Sequence, residues 1–445
     1  MSNQPKLERK IGLLQATAIN MTDMVGIGPF VVLSVVAETM KGPWFLYAWI
    51  AGALLSFVDA MIWSQLGSTY PMAGGSYNFL KEGYGAKWGK LMSFLFVWQT
   101  MIQAPLVIAS AAIGFSQYLG YILPLTEIQG KMVSGILVIL IVVLLYRKIE
   151  AIGKISLFLW MGVLLIMAWI IGGGIFHGNF MAPVHHINDG IQLDHAFAAA
   201  LGFASVKTVY SYLGYYNVCY LGGEIIHPQK NIPRSMFVSI AGIAVLYLLM
   251  NISVASVLPL EQIRHSKFVV SEFIQYLSGS SLANIATLLI LWVAFASVFS
   301  ATLGYSRVPY AAASDGAFFK IFAKLHPTKH FPHISVLFLG SIAFVFSLLF
   351  KLRDVIDAIL AMRILVQFIG QGIGLFLLMK RKGRKHFAWV MPLYPLPVIL
   401  AILIWGYIFF STGQKMMMGG LTVIALGVIA FLIKSSRNKE WPFRN

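Results

Sequence analysis

Charged residues are scarce in this chain. Only 11% of its 445 residues are Asp, Glu, Lys or Arg, whereas 58% are hydrophobic. A water-soluble domain carries about 25% charged residues, so this chain lacks the polar side chains that cover a surface in water. No long polar stretch interrupts the sequence. These deficits exclude a soluble globular protein and indicate one polytopic membrane unit, residues 1–445, with the lipid bilayer as its solvent.

Cysteine and the motifs of several enzyme and pump classes are also missing. The single cysteine, Cys219, excludes a disulfide within the chain. No thiol or zinc spacing occurs, and His185 and His186 form an isolated pair in a loop, so we expect no metal and no cofactor. The absence of a phosphate-binding P-loop motif argues against ATP-driven transport. A membrane-embedded enzyme is the rival class, but it needs a nucleophile–base or metal cluster within the spans. The sequence offers none, and we predict that the protein is not an enzyme.

The few charges are unevenly distributed. The net charge is +17, yet the basic residues lie in short loops between apolar runs, so we do not expect nucleic-acid binding. If the N-terminus is cytosolic, 24 of the 33 Lys and Arg residues fall on the cytosolic side and 7 on the outer side. This positive-inside pattern predicts a multi-pass protein of the cell (plasma or inner) membrane with both termini in the cytosol.

Apolar runs of about 20 residues, the length that crosses a bilayer, recur along the chain. They predict an all-α integral membrane protein with twelve transmembrane helices. The approximate limits are 11–38, 44–69, 88–122, 131–148, 152–176, 196–225, 234–258, 281–307, 334–350, 352–379, 387–410 and 416–434. A further apolar segment at 268–278 is too short to span, and its three- and four-residue spacing predicts an external helix, with a plain loop as the alternative.

Two of these runs contain residues that oppose a straight helix. The first run carries Gly26-Ile27-Gly28-Pro29 at mid-membrane depth, and the sixth carries residues 211–214. An interior Gly costs about 1 kcal/mol of helix propensity and an interior Pro about 3 kcal/mol. In lipid such breaks are tolerated where they line a cavity or bind a ligand, with a kink used only for packing as the alternative. Breaks in spans one and six predict two inverted repeats, 11–176 and 196–379, followed by two additional helices in 387–434.

The first break also suggests the kind of solute. The half-helix after Gly28 begins with unpaired N–H groups and the positive end of a helix dipole, which suit a carboxylate. The carbonyl groups that end the preceding half-helices suit an ammonium group. Together these groups predict an amino acid.

Four stretches of the chain resemble motifs of the amino acid–polyamine–organocation superfamily of permeases. Residues 25–30 (V-G-I-G-P-F) resemble the family's G-S-G-I-F stretch, and residues 65–77 resemble its E-L-G…P-x-x-G-G-x-Y motif. Residues 224–234 resemble E-x-x-N-P-x-x-N-I-P-R, and 306–327 resemble the segment after span eight. The stretches come in the family's order. The chain departs from the pattern at Ile27 (Ser in the family), at Pro29, which removes an N–H group, and at Gln65 (Glu in the family).

The resemblance implies the five-plus-five inverted-repeat fold (the LeuT fold) and secondary active transport of an amino acid by alternating access. It implies that backbone around both breaks holds the solute's α-carboxylate and α-amino groups, that Tyr210 gates the site, and that Tyr215 faces the side-chain pocket. Gln103 is added on its polarity alone. The predicted substrate-binding residues are Asp23, Val25, Gly26, Ile27, Gly28, Gln103, Tyr210, Ser211, Gly214 and Tyr215.

An ionisable group inside a span is a functional candidate because its insertion costs about 2.5–3.5 kcal/mol. Asp23, one turn before the first break, is suited to carry a coupling proton or to attract a cationic group. The alternative is structural pairing with Thr22 or Asn20. Asp23 and Lys207 also leave open a polyamine or another amine or carboxylate as the solute.

Ion coupling and gating have further candidates. Ser297 and Ser300 are placed to ligate sodium between spans one and eight, although helical hydroxyls commonly bond the preceding turn. Some sodium-independent members of the family carry a lysine in span five; Lys154 lies nearest here, with a snorkelling interfacial lysine as the alternative. The candidates for proton or sodium coupling are Thr22, Asp23, Lys154, Ser297 and Ser300. The candidates for gating are Lys207, Tyr210, Glu224, Arg234 and Arg307, with Glu224 pairing with one of the two arginines. Asp59 in span two and Arg363 in span ten are each expected to belong to an internal ion pair.

Overall fold

The computed structural model describes residues 7–443, without the side chains of 353–357. Lys6 and Arg444 of the charge count therefore lie outside the described residues, as does the side chain of Arg353. The described backbone is helical and contains no strand; it forms two isolated β-bridges, of which one joins Ile11 to Ile225. The all-α prediction is confirmed.

Nineteen helices are present in the described residues. In chain order they are α1 Leu13–Met24, α2 Gly28–Met40, α3 Leu46–Thr69, α4 Ser76–Leu119, α5 Glu127–Leu145, α6 Ile149–His177, α7 Ala182–His185, α8 His195–Tyr212, α9 Asn217–Tyr220, α10 Pro228–Ala255, α11 Leu260–His265, α12 Val269–Ser278, α13 Ser280–Tyr305, α14 Arg307–Ser314, α15 His333–Leu349, α16 Leu352–Arg363, α17 Gly370–Lys382, α18 Leu396–Ser411 and α19 Gln414–Arg437. Short 3-10 turns occur at Pro43–Phe45, Gly222–Glu224, Lys320–Ala323 and Arg384–His386, and a π-helical turn at Ile364–Ile369 joins α16 to α17.

Eight helices of the described chain are long and apolar enough to cross a membrane, and the bent pair α1 and α2 makes a ninth span. Helices α15 and α18 are apolar but shorter. These elements follow the predicted runs, while the count of twelve spans stays a prediction. The predicted helix at 268–278 is confirmed as α12, which buries Val269, Val270, Phe273 and Ile274.

One boundary differs from the sequence-based expectation. Helix α4 begins at Ser76 rather than near residue 88, and Gly85 interrupts it with a left-handed φ of 76°. The stretch before Gly85 carries charges such as Lys81 and Glu82, so hydropathy alone does not distinguish it from a loop.

The packing places the two helix breaks at the centre of the bundle. Helix α1 packs against α6, α10 and α13, whereas α2 packs against α8. Helix α3 lies against α8 and α10, and α4 lies against α13 and α16. The chain segments between α1 and α2 and between α8 and α9 are therefore surrounded by helices on all sides.

Candidate functional site

The first break separates α1 from α2. Helix α1 ends at Met24, α2 begins at Gly28, and their axes differ by 44°. Pro29 is the second residue of α2, where its missing N–H removes no helical hydrogen bond and its fixed φ suits the first turn. The N–H groups of Ile27, Gly28 and Phe30 have no acceptor among the described residues. The start of α2 therefore presents free donors and a positive dipole end.

The second break follows α8. Helix α8 ends at Tyr212, and residues 213–216 are not helical before α9 begins at Asn217. Gly214 adopts a φ of 122°, a backbone angle that residues other than glycine rarely adopt. A Cβ atom there would lie 2.8 Å from the backbone nitrogen of Met24 and 2.9 Å from the carbonyl carbon of Asp23. The backbones of the two breaks thus touch at this glycine.

Tyr247 of α10 ties the two breaks together. Its hydroxyl donates to the carbonyl oxygen of Met24 at 2.8 Å and lies 3.0 Å from that of Ser211, the ends of α1 and α8 respectively. Helix ends leave carbonyl groups without helical partners, and buried ones need a donor. One buried tyrosine therefore serves both ends.

We expect Tyr247→Phe to destabilise the protein by about 1–3 kcal/mol, because the two buried carbonyl groups lose the one hydroxyl proton that they share. The matched control is Tyr212→Phe. The Tyr212 ring lies 5.1 Å from the Tyr247 ring, but its hydroxyl has no partner among the described residues. Thermal unfolding in detergent should show a lower midpoint for Tyr247→Phe only; equal midpoints for the two variants would contradict this role.

A cavity of about 50 Å³ lies between the breaks. Seven of the ten predicted substrate-binding residues line it: Asp23, Gly26, Ile27, Gly28, Tyr210, Ser211 and Gly214. Val25 and Gln103 are buried nearby but outside the lining, and Gln103 lies 3.4 Å from the Tyr305 hydroxyl. The Tyr210 hydroxyl forms a 3.0 Å hydrogen bond with Ser110 Oγ, which fixes the ring at the cavity wall.

Tyr215 occupies a different place from the predicted one. It does not line the cavity; its hydroxyl donates to Asp59, which also accepts from Trp63 Nε1 at 2.8 Å and Trp405 Nε1 at 3.1 Å. The neighbouring Tyr216 lines the cavity instead. The correction follows from the non-helical backbone at 213–216, which directs successive side chains in ways that helical spacing does not predict.

Arg363 is a cavity residue that sequence reasoning did not place there. It lines the cavity with Tyr216 and Tyr305, and it forms no direct ion pair with Asp59. Its charge within a span was the available signal, because intramembrane charges commonly mark functional sites. The identity of its neighbours depends on helix rotation, which the sequence does not specify.

The hydroxyls of α13 bond directly to α1. Ser300 Oγ donates to the carbonyl oxygen of Ile19 at 2.8 Å, and Ser297 Oγ to that of Asp23 at 3.4 Å. The amide of Asn217 contacts Ser300 in turn, at 2.9 Å from its carbonyl oxygen. The carbonyl groups of Ile19 and Asp23, beside the two candidate sodium ligands, therefore already accept hydrogen bonds.

The other coupling and gating candidates are scattered. Thr22 is buried near the first break, with a hydroxyl that lacks a partner in the described chain, whereas Lys154 is exposed on α6. Lys207 is half-buried on α8, one turn before Tyr210, and does not line the cavity. Arg234 is exposed.

Arg307 and Glu224 form a buried ion pair at the N-terminal face, the end of the bundle where residues 7–12 lie. The guanidinium Nε and Nη2 donate to the two carboxylate oxygens at 3.0 and 2.8 Å, and both side chains are at most 1% exposed. Such a two-point contact fixes the arginine and carboxylate planes relative to each other. It joins α14 to the turn Gly222–Glu224 that follows the second break.

The N-terminal segment closes over this pair. Arg9 Nη1 donates to the carbonyl oxygen of Ile225 at 2.9 Å, and Ile11 pairs with Ile225 in a parallel β-bridge. Outside the membrane-spanning helices, Lys10 Nζ lies 2.8 Å from a carboxylate oxygen of Glu150, and this contact raises the pKa of Lys10. The segment preceding α1 is thus attached to the segment preceding α10.

Comparison with known proteins connects this geometry to a family. A family model described as amino acid permease matches residues 11–433. The serine/threonine exchanger SteT of Bacillus subtilis is 27% identical, with 89% of each chain covered. The branched-chain amino acid permease BcaP of Bacillus subtilis is 22% identical over 99% of this chain and 96% of its own, and the human cystine/glutamate transporter is 24% identical over 87% and 77%.

The match extends over nearly the whole chain and includes both helix breaks. It confirms the prediction drawn from the four motifs, and it identifies the molecule as a transporter rather than an enzyme. The chain belongs to the amino acid permease family of the amino acid–polyamine–organocation superfamily.

Proposed function

We propose that the protein is a secondary active transporter that moves an α-amino acid across the plasma or inner membrane by alternating access. The observation that carries this proposal is the meeting of the two breaks at one cavity. The free N–H groups at Ile27 and Gly28 suit the α-carboxylate, and Asp23 suits the α-ammonium group. The named activities of the three relatives, all concerned with amino acids, support the same class of solute.

The charge distribution supports an orientation in which the N-terminal face is cytosolic. The Arg307–Glu224 pair and the N-terminal segment then close the path from the cavity to the cytosol. Opening to the cytosol requires α14 to separate from the turn Gly222–Glu224. Glu224 and Arg307 are therefore the proposed cytosolic gate, and Tyr210 is the proposed aromatic gate at the cavity wall.

The proposal is tested by counterflow in proteoliposomes. A thermal-shift screen first identifies the α-amino acids that the purified protein binds. Vesicles are then loaded with one of these amino acids in unlabelled form, and they should accumulate the same amino acid in labelled form. The screen should include amines and carboxylates as well as amino acids. Hits confined to polyamines or simple carboxylates would overturn the proposed solute class.

We expect transport to proceed without sodium, because Ser297 and Ser300 already donate to the carbonyl groups of α1. Uptake of the accumulated amino acid should be equal in sodium and choline buffers. Because a coupling free energy of 1–3 kcal/mol corresponds to an affinity change of about 5- to 150-fold, a sodium stimulation of about fivefold or more would contradict this expectation. The variant Ser300→Ala should leave sodium independence unchanged.

A further inference from the structure

Arg363 is a fully buried cation at the wall of the cavity. It is the last residue of α16, directly before the π-helical turn Ile364–Ile369, and its side chain is 1% exposed. Single π-helical turns occur frequently at functional sites, because the extra residue changes the direction of neighbouring side chains. The residue therefore presents a permanent positive charge to the cavity that the two breaks enclose.

The guanidinium is held rigidly. Its Nε donates to Gln367 Oε1 at 2.9 Å, and its Nη2 donates to the Tyr216 hydroxyl. Its central carbon lies 5.1 Å from the centre of the Tyr216 ring and 5.7 Å from that of Tyr305. Gln367 in turn donates to the Tyr220 hydroxyl at 2.8 Å. A cation fixed in this way loses little freedom when it binds an anion.

No carboxylate forms a direct ion pair with Arg363 in the part of the chain that the structure describes, although Asp23 lines the same cavity. A guanidinium has five N–H donors, and the two contacts above use two of them. Aromatic rings stabilise a cation by less than the cost of removing its charge from water. The remaining donors suit a carboxylate, which an arginine fork binds at two points.

We propose that the solute is an α-amino acid with an anionic side chain, and that Arg363 binds the anion of that side chain. This inference rests on the proposed function. The α-carboxylate lies at the start of α2 and the α-ammonium group at Asp23, which leaves Arg363 for the third charged group. Tyr216 and Tyr305 orient the guanidinium and cover the carbon chain of the solute.

The test measures binding of glutamate, glutamine and glutarate to purified protein by competition, using whichever labelled α-amino acid the wild type accumulates. Glutamine has the shape of glutamate without its side-chain charge, and glutarate lacks the ammonium group. The wild type should prefer glutamate to glutamine by about tenfold or more, the ratio that 1.4 kcal/mol produces. Arg363→Gln should lose this preference, Arg363→Lys should keep part of it, and Arg437→Gln, an exposed arginine at the end of α19, should keep all of it.

The outcomes separate the two proposals. Equal binding of glutamine and glutamate by the wild type overturns the role of Arg363 and leaves the amino acid permease intact. Glutarate as a hit in the thermal-shift screen without any amino acid overturns the proposed function and leaves an anion site at Arg363. If Arg363→Gln unfolds before the assay, the glutamate-to-glutamine preference of the wild type and of Arg363→Lys decides whether the inference stands. An unchanged ratio in a folded Arg363→Gln protein also overturns the inference.

Discussion

Gly214→Ala should abolish solute uptake. The added Cβ would lie 2.8 Å from the backbone nitrogen of Met24, and backbone atoms cannot move aside as a flexible side chain can. The φ of 122° adds strain for any residue with a Cβ atom. Strain of this kind costs about 1–3 kcal/mol, and the overlap adds to it. The two breaks should therefore separate, and the cavity between them should lose its shape. Initial uptake rates in proteoliposomes measure this effect.

The matched control is Gly406→Ala in α18. A Cβ atom there meets nothing within 4 Å, and alanine favours the interior of a helix by up to about 1 kcal/mol over glycine. This variant should transport at the wild-type rate and unfold no earlier. Wild-type uptake by Gly214→Ala would show that close contact between the breaks is not needed for transport.

Removing Arg307 should open the proposed cytosolic gate and destabilise the protein. Arg307→Ala leaves the Glu224 carboxylate buried without its cation, which costs about 3–5 kcal/mol. A free-energy change of that size in the closed state shifts the population toward a state in which Glu224 reaches water. The cavity should then become accessible from the cytosolic side.

The single native cysteine makes this opening measurable. Cys219 is buried, so a Cys219→Ser background with Ala301→Cys places one thiol at the cavity wall. Labelling of inside-out vesicles by a charged maleimide should be about tenfold faster with Arg307→Ala than without it. Lys81→Ala is the control, since its 2.5 Å contact with Asp315 is exposed and such pairs contribute about 0–1 kcal/mol. Equal labelling with and without Arg307 would contradict the gate.

The sequence was informative wherever a residue opposed its local pattern. Gly28 and Pro29 stand in an apolar run that otherwise favours a helix, so the first break was predictable from the sequence. The two spans that contain the breaks have no histidine and little cysteine, so their sequences did not predict a metal site. The charges predict that Glu224 pairs with Arg234 or Arg307, and the structure joins it to Arg307 at 3.0 and 2.8 Å.

Side-chain direction around the breaks was not predictable in the same way. Tyr215 and Tyr216 are adjacent in a non-helical segment, and only the packing decides that the first meets Asp59 and the second lines the cavity. The direction of the Arg363 side chain depends on the rotation of α16 and on the π-helical turn after it. Sequence periodicity assumes an ideal helix. An inserted residue therefore changes the helix face on which the following side chains lie.

The position of the Tyr247 hydroxyl between two carbonyl oxygens limits how the molecule moves. One hydroxyl holds the carbonyl oxygens of Met24 and Ser211, and its ring packs edge-on against Trp49 of α3 and Tyr212 of α8. A rotation of α1 alone would break this junction, whereas a rotation of α1, α3, α8 and α10 together would preserve it. Amide hydrogen exchange should therefore show these four helices opening as one cooperative unit. When solute binds, the exchange protection of all four helices should change together.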